Sequence, residues 1–345
     1  MATKVILTGD VNLMNVADPA VPFRRIAGEL RAADVVFSNL ECCLHLPPSR
    51  SLSTEGFFAD PDIGGEALRF AGIHAVGIAN NVNFGAANIM ASIARLDQLG
   101  IFHTGAGANL AAARAPAIVA RNGLRVGVTQ RSSVYWPTDH AAHDDAPGIA
   151  VLRGHTAYEV PTGRAHAGIP PPNRPGVPPI IITWADADHL ADFRTDIAAL
   201  RERVDIVVAS CHWGLGREPL AYMTDIARAA IEAGADIVIG HGPHYTLPVE
   251  IYWGRPIFYG LGNLSFQTGH GGRKHENWLG MVVEVAREGN GETTFDLRLV
   301  RHNDANETSF CRLADETEAV ADICTRSEKL STTLTAQGDR LRVVL

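Results

Sequence analysis

The chain has 345 residues, 46% of them hydrophobic and 20% charged, which is enough apolar material for a sizeable core and excludes a largely disordered protein. Its formal net charge of -8 is the opposite of the basic surface that binds a phosphate backbone, and no apolar run approaches the roughly 18 residues of a membrane-spanning helix. We therefore expect a small-molecule substrate and neither a nucleic-acid nor a membrane partner. No pattern in the sequence indicates the oligomeric state.

Short β-branched runs alternate with helical patterns in the first third of the chain. These strands and helices are predicted at residues 5–9, 23–31, 35–40, 66–71, 75–79 and 89–99. Further on, Asn122-Gly123 stands between two apolar runs and predicts a two-residue hairpin turn. The alternation predicts βαβ units and a largely parallel sheet.

A Pro-rich stretch, residues 132–179, interrupts this rhythm. A long segment without periodicity is typical of a functional lid or a linker, so we predict a lid-like insertion within a single domain spanning residues 1–345. Regular patterns resume after it, and Gly234 is predicted to follow the C-cap of a helix. The later elements are predicted at residues 180–184, 187–203, 205–210, 224–233, 237–239, 249–253, 256–259, 281–285 and 295–300.

The N-terminus and the cysteines both favour a cytoplasmic location. Residues 1–4 lead directly into an apolar run, without the charged region and apolar segment of a secretory signal. The five cysteines are an odd number without CxxC spacing, which is typical of reduced thiols. Cys211 alternates with His212 along a strand and is therefore expected to point into the core.

Polar side chains follow five of the predicted strands. They lie in residues 8–12, 38–41, 79–81, 210–214 and 240–244. Taken singly, each group has an ordinary structural explanation, such as a helix N-cap for an Asp or a turn for an Asn pair. In an α/β sheet, however, the carboxyl ends of parallel strands meet at one edge, where ligands bind. The five segments would thus bring carboxylates, an amide and imidazoles together.

This combination of ligands favours two divalent transition metals, Mn, Fe or Zn, over Ca or Mg. A carboxylate between two cations offsets their repulsion, and such a pair activates water and stabilises a developing oxyanion. The pattern therefore points to a hydrolase with a dinuclear metal centre.

Several separated motifs occur in a characteristic order along the chain. They are Asn39-Leu40-Glu41, Gly105-Ala106-Gly107 with Asn109-Leu110, His212-Trp213-Gly214, Gly240-His241 with Pro243-His244, and Pro256-Ile257-Phe258-Tyr259 with Leu261-Gly262-Asn263. Together they resemble the CapA or poly-γ-glutamate-synthesis protein family, a branch of the calcineurin-like metallophosphoesterase superfamily. The resemblance implies an α/β fold, a four-layer αββα sandwich, with a two-metal site between the ends of the sheets.

The resemblance also implies roles for individual residues. One metal would be held by Asp10 and His244, the other by Asn81, His212 and His241, and both by Glu41 as a bridge. The catalytic candidates among these ligands are Asp10, Glu41, Asn81 and His212.

Three positions depart from the pattern of the family or superfamily. Asn12 stands where the superfamily has a His, which makes it a candidate oxygen ligand or substrate-binding residue. Val82 follows Asn81 where the family has a His that, in the superfamily, helps to protonate a leaving group. Gly242 replaces the second of two histidines. The missing His at position 82 argues against ordinary phosphoester cleavage.

Other residues are candidates for substrate binding. Arg131 follows a strand, where a guanidinium can grip a carboxylate, with a surface salt bridge as the alternative. Trp136 is suited either to stack on a ring or to anchor its loop, and Asn263 is placed to line the pocket. Histidines in or beside the insertion are either the source of a missing acid or solvated loop residues: His140, His143, His155, His166 and His189.

We therefore predict a metal-dependent hydrolase that activates water against a small, anionic substrate. The absent His favours an amide, lactam or γ-glutamyl C–N bond, with a phosphoester as the alternative. The link to polyglutamate is an analogy through the family. A further alternative is a non-catalytic capsule (poly-γ-glutamate) biosynthesis protein that has kept the fold, but the complete ligand set favours the enzyme.

Overall fold

Two β-sheets pack face to face, and helices cover the outer face of each. The computed structural model describes residues 3–47, 57–159, 176, 178–269, 274–289 and 291–345. Of the sequence-based candidates, His166 lies outside these residues.

The larger sheet has ten strands. In spatial order its main path is β21 (Leu334–Gln337), β22 (Arg340–Val343), β19 (Thr293–His302), β18 (Gly280–Arg287), β1 (Thr3–Asn12), β2 (Val35–Leu40), β5 (Ala75–Gly77) and β6 (Phe102–Thr104), with β17 (Asn263–Phe266) beside β1 and β20 (Thr308–Phe310) beside β19. The run from β1 to β6 is parallel, whereas β18 pairs antiparallel with β1.

The smaller sheet has six strands. Its order is β15 (Val249–Tyr252), β16 (Arg255–Phe258), β14 (Ile237–His241), β13 (Ile206–His212), β9 (Leu124–Ser132) and β8 (Ala117–Arg121). The central strands β16, β14, β13 and β9 are parallel, and the two edge strands are antiparallel to their neighbours. The predicted parallel pairing therefore holds for one half of the larger sheet, from β1 to the edge strand β6, and for the four inner strands of the smaller sheet.

Seven helices and three short strand pairs complete the described part of the chain. The helices are α1 (Ala27–Arg31), α2 (Pro61–Ala71), α3 (Ala86–Leu99), α4 (Leu110–Arg114), α5 (Ala187–Arg201), α6 (Ala221–Glu232) and α7 (Thr317–Glu328). The short pairs are β3 (Cys43–Leu44) with β4 (Phe58–Ala59), β7 (Ala106–Gly107) with β10 (Gly148–Ile149), and β11 (Gly154–Glu159) with β12 (Ile180–Ala185). None of these helices combines the length and the apolar character that crossing a bilayer requires.

Alternation along the strands separates the core into layers. Val5 and Leu7 of β1 face the space between the sheets, while Ile6 packs against the outer helices. In β13, Val208 likewise points between the sheets and Cys211 toward α5 and α6, as expected for Cys211. The predicted αββα sandwich is thus confirmed.

Two local predictions about glycine-containing turns agree with the structure, and one helix boundary differs. Asn122 and Gly123 adopt positive φ angles of 49° and 80° in the turn between β8 and β9, which a two-residue hairpin requires. Gly234, at φ 111°, follows the C-cap of α6. Helix α2 begins earlier than predicted because the Asp60 side chain caps it and Pro61 occupies its first position.

The interpretation of residues 132–179 as a lid-like insertion within one domain stays a prediction. In its described part, this stretch contains β10 and β11. The second of these strands forms an antiparallel pair with β12, which follows the insertion.

Candidate metal centre

The predicted ligands meet at the carboxyl ends of the parallel strands. Asp10 lies in β1, Glu41 directly after β2 and Asn81 beyond β5; in the smaller sheet, His212 and His241 end β13 and β14. The structure brings these residues together with His244, and we call the group the ligand cluster: Asp10, Glu41, Asn81, His212, His241 and His244.

Asp10 lies between two histidines. Its Oδ1 is 3.3 Å from His241 Nδ1 and its Oδ2 is 3.2 Å from His244 Nδ1. All three residues are on short connections or strand ends, and His244 adopts a left-handed backbone with φ 61°. Such a conformation is uncommon for a residue other than Gly and is found often at functional sites.

Glu41 and His212 complete the centre of the cluster. One ligand atom each from Asp10, Glu41 and His212 lie within 4.8 Å of one another. Glu41 Oε1 is also 3.7 Å from His244 Nε2, and Asn81 Oδ1 is 2.9 Å from His212 Nε2. The geometry thus brings together the two groups of residues that the family resemblance assigns to separate metals.

Burial and mutual charge shift the acidity of the cluster. The pKa of Glu41 lies well above its usual value because burial disfavours the charge and Asp10 repels it. Burial also acts on Asp10, but hydrogen bonds and charges from His241 and His244 hold its pKa below the usual value. Such opposed shifts among neighbouring groups are characteristic of functional sites.

The pKa values of two imidazoles of the cluster shift in opposite directions. Burial lowers the pKa of His212 to about 3, so this ring is neutral and can donate a lone pair. Burial acts in the same direction on His244, but the charges of Glu41 and Asp10 outweigh it and raise the pKa to about 9. The negative field at His244 is one that a bound cation would neutralise.

Several polar atoms of the cluster are buried without a hydrogen-bond partner. They are Glu41 Oε2, His212 Nδ1 and His241 Nε2, while His241 Nδ1 has only its 3.3 Å contact with Asp10. Partnerless buried polar atoms are rare and costly in folded proteins, and metal ions would satisfy them. The donor set of carboxylate oxygen, amide oxygen and imidazole nitrogen therefore fits divalent metal ions.

A hydrogen-bonded amide network supports Asp10 from behind. Asn39 Nδ2 donates to Asp10 Oδ1 at 2.8 Å, and Asn39 Oδ1 accepts from Gln130 and Asn80. Gln130 had no motif to mark it in the sequence, but it has the same parity as Val126 and Val128, whose side chains face the space between the sheets. This alternation along β9 was the sequence signal that could have predicted that Gln130 faces the space between the sheets.

Two of the predicted substrate-binding residues contact the cluster. Asn263 Oδ1 lies 3.0 Å from His244 Nδ1, so Asn263 helps to orient the His244 ring as well as lining the site. Trp136 is half-buried and its Nε1 donates to the backbone oxygen of Asn81 at 2.9 Å. This contact anchors the Trp136 loop against the site, which was one of the two roles considered for it.

Two other substrate-binding candidates have structural partners, and their predicted role stays a prediction. Arg131 is buried on the helix side of β9, where it pairs with Asp196 and lies over the Phe193 ring. It alternates with Gln130, which is the residue that faces the site. Asn12 is also committed elsewhere, since its amide donates to the Thr268 oxygen and accepts from the Met14 N–H.

Three of the histidines in or beside the insertion have side-chain partners. His140 accepts from the Trp136 N–H and lies 3.0 Å from the Asn83 oxygen, and burial lowers its pKa to about 4. His155 pairs with Asp186, and His189 contacts the Val151 oxygen. A histidine that the sequence did not mark, His275, lies instead beside the cluster, with its ring centre 5.5 Å from that of His244. It belongs to no motif and could not have been selected from the sequence.

The four-layer αββα sandwich defines an α/β fold of the metallophosphoesterase type. A phosphatase structure from Mycoplasma pneumoniae shares the fold, with a TM-score of 0.51 and 12% identity over 87% of this chain and 93% of that one. A model of the bacterial capsule synthesis protein PGA_cap matches residues 4–268, so the chain belongs to that family.

Relatives in this family carry names connected with polymer synthesis. The chain is 31% identical, over 252 residues, to a probable polyglutamine synthesis accessory protein of Mycobacterium tuberculosis, covering 68% of this chain and 56% of the relative. It is 41% identical over 99 residues to the PGA biosynthesis protein CapA of Bacillus subtilis, covering 28% and 24%. The chain thus spans little more than half the length of the M. tuberculosis relative.

Proposed function

We propose that this chain is a metal-dependent hydrolase whose ligand cluster holds two divalent transition ions, Mn, Fe or Zn. The observation that carries the proposal is the convergence of carboxylates and imidazoles, several of whose buried donor atoms have no partner. A protein that used these groups only for structure would leave those atoms desolvated without compensation.

Ions bound in such a site activate water for attack on an electrophilic centre and stabilise the charge that develops there. The chain's own residues position that chemistry. Asp10 and Glu41 supply negative charge, His212 supplies a neutral imidazole, and Asn81 lies beside it. Asn39 and Asn263 fix the orientations of Asp10 and His244. We assign catalytic roles to Asp10, Glu41, Asn81 and His212 on this basis.

For the substrate, we infer a small, anionic molecule with an amide, lactam or γ-glutamyl C–N bond. This bond is favoured because relatives are named for polyglutamine and PGA synthesis. Phosphoester hydrolysis is the second candidate, because the fold is shared with a phosphatase. A cytoplasmic location is supported by the five free cysteines.

The alternative to an enzyme is a non-catalytic role, since relatives are named accessory and biosynthesis proteins.

The test begins with elemental analysis of the full chain purified without chelator. We expect close to two transition ions per chain. The same preparation is then assayed with γ-glutamyl-p-nitroanilide and with p-nitrophenyl phosphate.

The matched variants are Asp10→Asn, inside the cluster, and Asp304→Asn, a fully exposed carboxylate far along the chain. Only the first should lose metal and turnover. Faster release of nitrophenol than of nitroaniline would select the phosphoester candidate. Full metal loading without turnover of either compound would favour the non-catalytic role, and absence of metal uptake would refute the hydrolase.

A further inference from the structure

A cavity of about 550 Å³ adjoins the ligand cluster on the side of His244. We call it the Arg217 pocket. Its lining includes His244, Tyr245, His275, Arg217, Arg301 and Glu318. Because His244 belongs to both the cluster and the pocket wall, a molecule in this cavity would lie against the metal centre.

Arg217 is the cation of this pocket that has no carboxylate partner among the residues that the structure describes. Its guanidinium carbon lies 4.3 Å from the centre of the Tyr245 ring. A cation–π contact holds the planar group in place while leaving its N–H donors available for hydrogen bonds. The other arginine on the wall, Arg301, is already paired with Glu316.

A buried arginine fixes the two loops that form this arrangement. Arg326 of α7 donates to the backbone oxygens of Arg217 and Thr246, each at 2.9 Å, and pairs with Asp322 at 2.7 Å. The guanidinium of Arg217 and the ring of Tyr245 are therefore carried on backbone that is held together. Preorganised donors of this kind bind a ligand with less loss of conformational entropy.

The acidic residues of the pocket do not neutralise Arg217. Asp322 is paired with Arg326, and Glu276 lies 3.7 Å from Lys274. Glu318 stands on the wall that α7 contributes. An anion in the pocket would be drawn to Arg217 and repelled from the α7 wall, which gives it one orientation.

Most of the wall lies beyond residue 268, where the match to the family model ends. His275 comes from the segment before β18, Arg301 from β19 and Glu318 from α7. The metal ligands, in contrast, all lie within the matched residues. The pocket therefore joins Arg217, Tyr245 and His244, which lie within the matched residues, to a wall that the C-terminal part of this chain contributes.

We propose that the Arg217 pocket binds an oxyanion group of the substrate, a carboxylate or a phosphate, through the Arg217 guanidinium. The proposal rests on the proposed function in that the bond to be cleaved lies at the ligand cluster. It goes further by placing the anionic end of the substrate and by naming Arg217 as the residue that selects for it.

The test measures binding of glutarate and of inorganic phosphate to the purified full chain by calorimetry, with metal content determined in the same samples. Arg217→Ala should weaken binding of one or both probes by at least about tenfold, the loss expected for a hydrogen bond to a charged group. Arg217→Lys should recover part of it. The control, Arg69→Ala, removes another exposed arginine that lines no part of the pocket and pairs with Glu66.

Loss of glutarate binding alone identifies a carboxylate site, and loss of phosphate binding alone identifies a phosphate site. Equal affinity in Arg217→Ala and Arg69→Ala, or no saturable binding of either probe to the unmodified chain, would overturn the proposal. Metal content separates this result from the hydrolase question, since Arg217→Ala should retain all the metal of the parent protein. If the parent protein binds no metal, dependence of anion binding on Arg217 can still be measured.

Discussion

At the scale of single residues, two carboxylates compete for the central position of the ligand cluster. Asp10 lies within 3.3 Å of imidazole nitrogens on both His241 and His244. Glu41 approaches His244 at 3.7 Å and retains a buried oxygen without a partner. Asp10 is already fixed by Asn39, so Glu41 is the carboxylate with an oxygen to spare for a second ion.

We expect Glu41→Ala to abolish binding of both metals and His244→Ala to abolish binding of one. Removing Glu41 takes away the charge that would offset repulsion between two cations, whereas His244 contacts only one side of the cluster. Elemental analysis of each variant, after dialysis against metal-free buffer, counts the ions per chain. A fully loaded Glu41→Ala protein would show that Asp10, not Glu41, joins the two sites.

The same cluster shows what the sequence could predict at this scale. Asp10, Glu41 and His212 each follow or end a β-branched run, and the parallel pairing of those runs makes their meeting predictable. Arg131 and Asn12 fulfilled the same criterion, but their side chains have partners outside the ligand cluster. A strand end places a residue at the right edge, but the two-residue alternation decides which face it points to, and bulges in β1 alter that alternation locally.

At the scale of elements, one side chain links the two sheets next to the site. Gln130 of β9 accepts from the Ala79 N–H at 2.7 Å and donates to Asn39 Oδ1 at 3.0 Å. These partners follow or lie in strands of the other sheet. Gly77 of β5 makes room for this link, because a Cβ added there would come within 2.3 Å of the Gln130 amide.

We therefore expect Gly77→Ala to lower the free energy of unfolding by about 2–4 kcal/mol, from displaced packing and from buried amides that lose their partners. Urea unfolding followed by fluorescence measures the change. Gly28→Ala in α1, where an added Cβ meets nothing within 4 Å, is the control and should be neutral or stabilising.

The double variant Gly77→Ala/Gln130→Ala isolates the contact. Since the shortened side chain no longer meets the new methyl group, the double variant should be more stable than the sum of the two single effects by more than about 0.5 kcal/mol. Strict additivity would mean that Gly77 is required for some other reason. The need for Gly at this position was not predictable from the sequence, because it arises from a residue 53 positions away in the other sheet.

At the scale of the whole molecule, the proposed metal binding would make stability depend on metal, because some donors of the cluster have no other partner. A ligand that binds only the folded state adds about 3 kcal/mol when its free concentration is about a hundred times its dissociation constant. We expect the unfolding temperature to rise by several degrees when chelator-treated protein is loaded with Mn or Zn. Glu41→Ala should show no such rise, and an equal rise in that variant would locate the stabilising ions elsewhere.

The segment that the family model matches, residues 4–268, depends for its folding on strands that follow it. The family match ends at residue 268, and the last sequence motif ends at Asn263. Residue 268 is not the end of a folding unit, because β18 (Gly280–Arg287) pairs with β1 from Thr3 to Thr8. Three residues of β18, Met281, Val283 and Val285, also fill the core between the sheets. Nothing in the motif pattern indicated this antiparallel neighbour.

A chain ending at residue 268 should therefore fail to unfold cooperatively. It would expose one edge of β1 and one side of the inter-sheet core. Each large apolar side chain that loses its burial costs about 1.5–3 kcal/mol. Summed over β18 and β19 (Thr293–His302), this loss exceeds the 5–15 kcal/mol stability of a typical protein.

A chain ending at residue 333 keeps β18 and β19 and removes only the edge hairpin of β21 and β22, so it should unfold cooperatively at a lower urea concentration than the full chain. Urea titrations of the three chains, followed by far- and near-ultraviolet circular dichroism, make the comparison. If the shortest chain gave a cooperative transition with a native near-ultraviolet spectrum, the strands after residue 268 would be an accessory layer, and the metal centre would be a property of the family-matched segment alone.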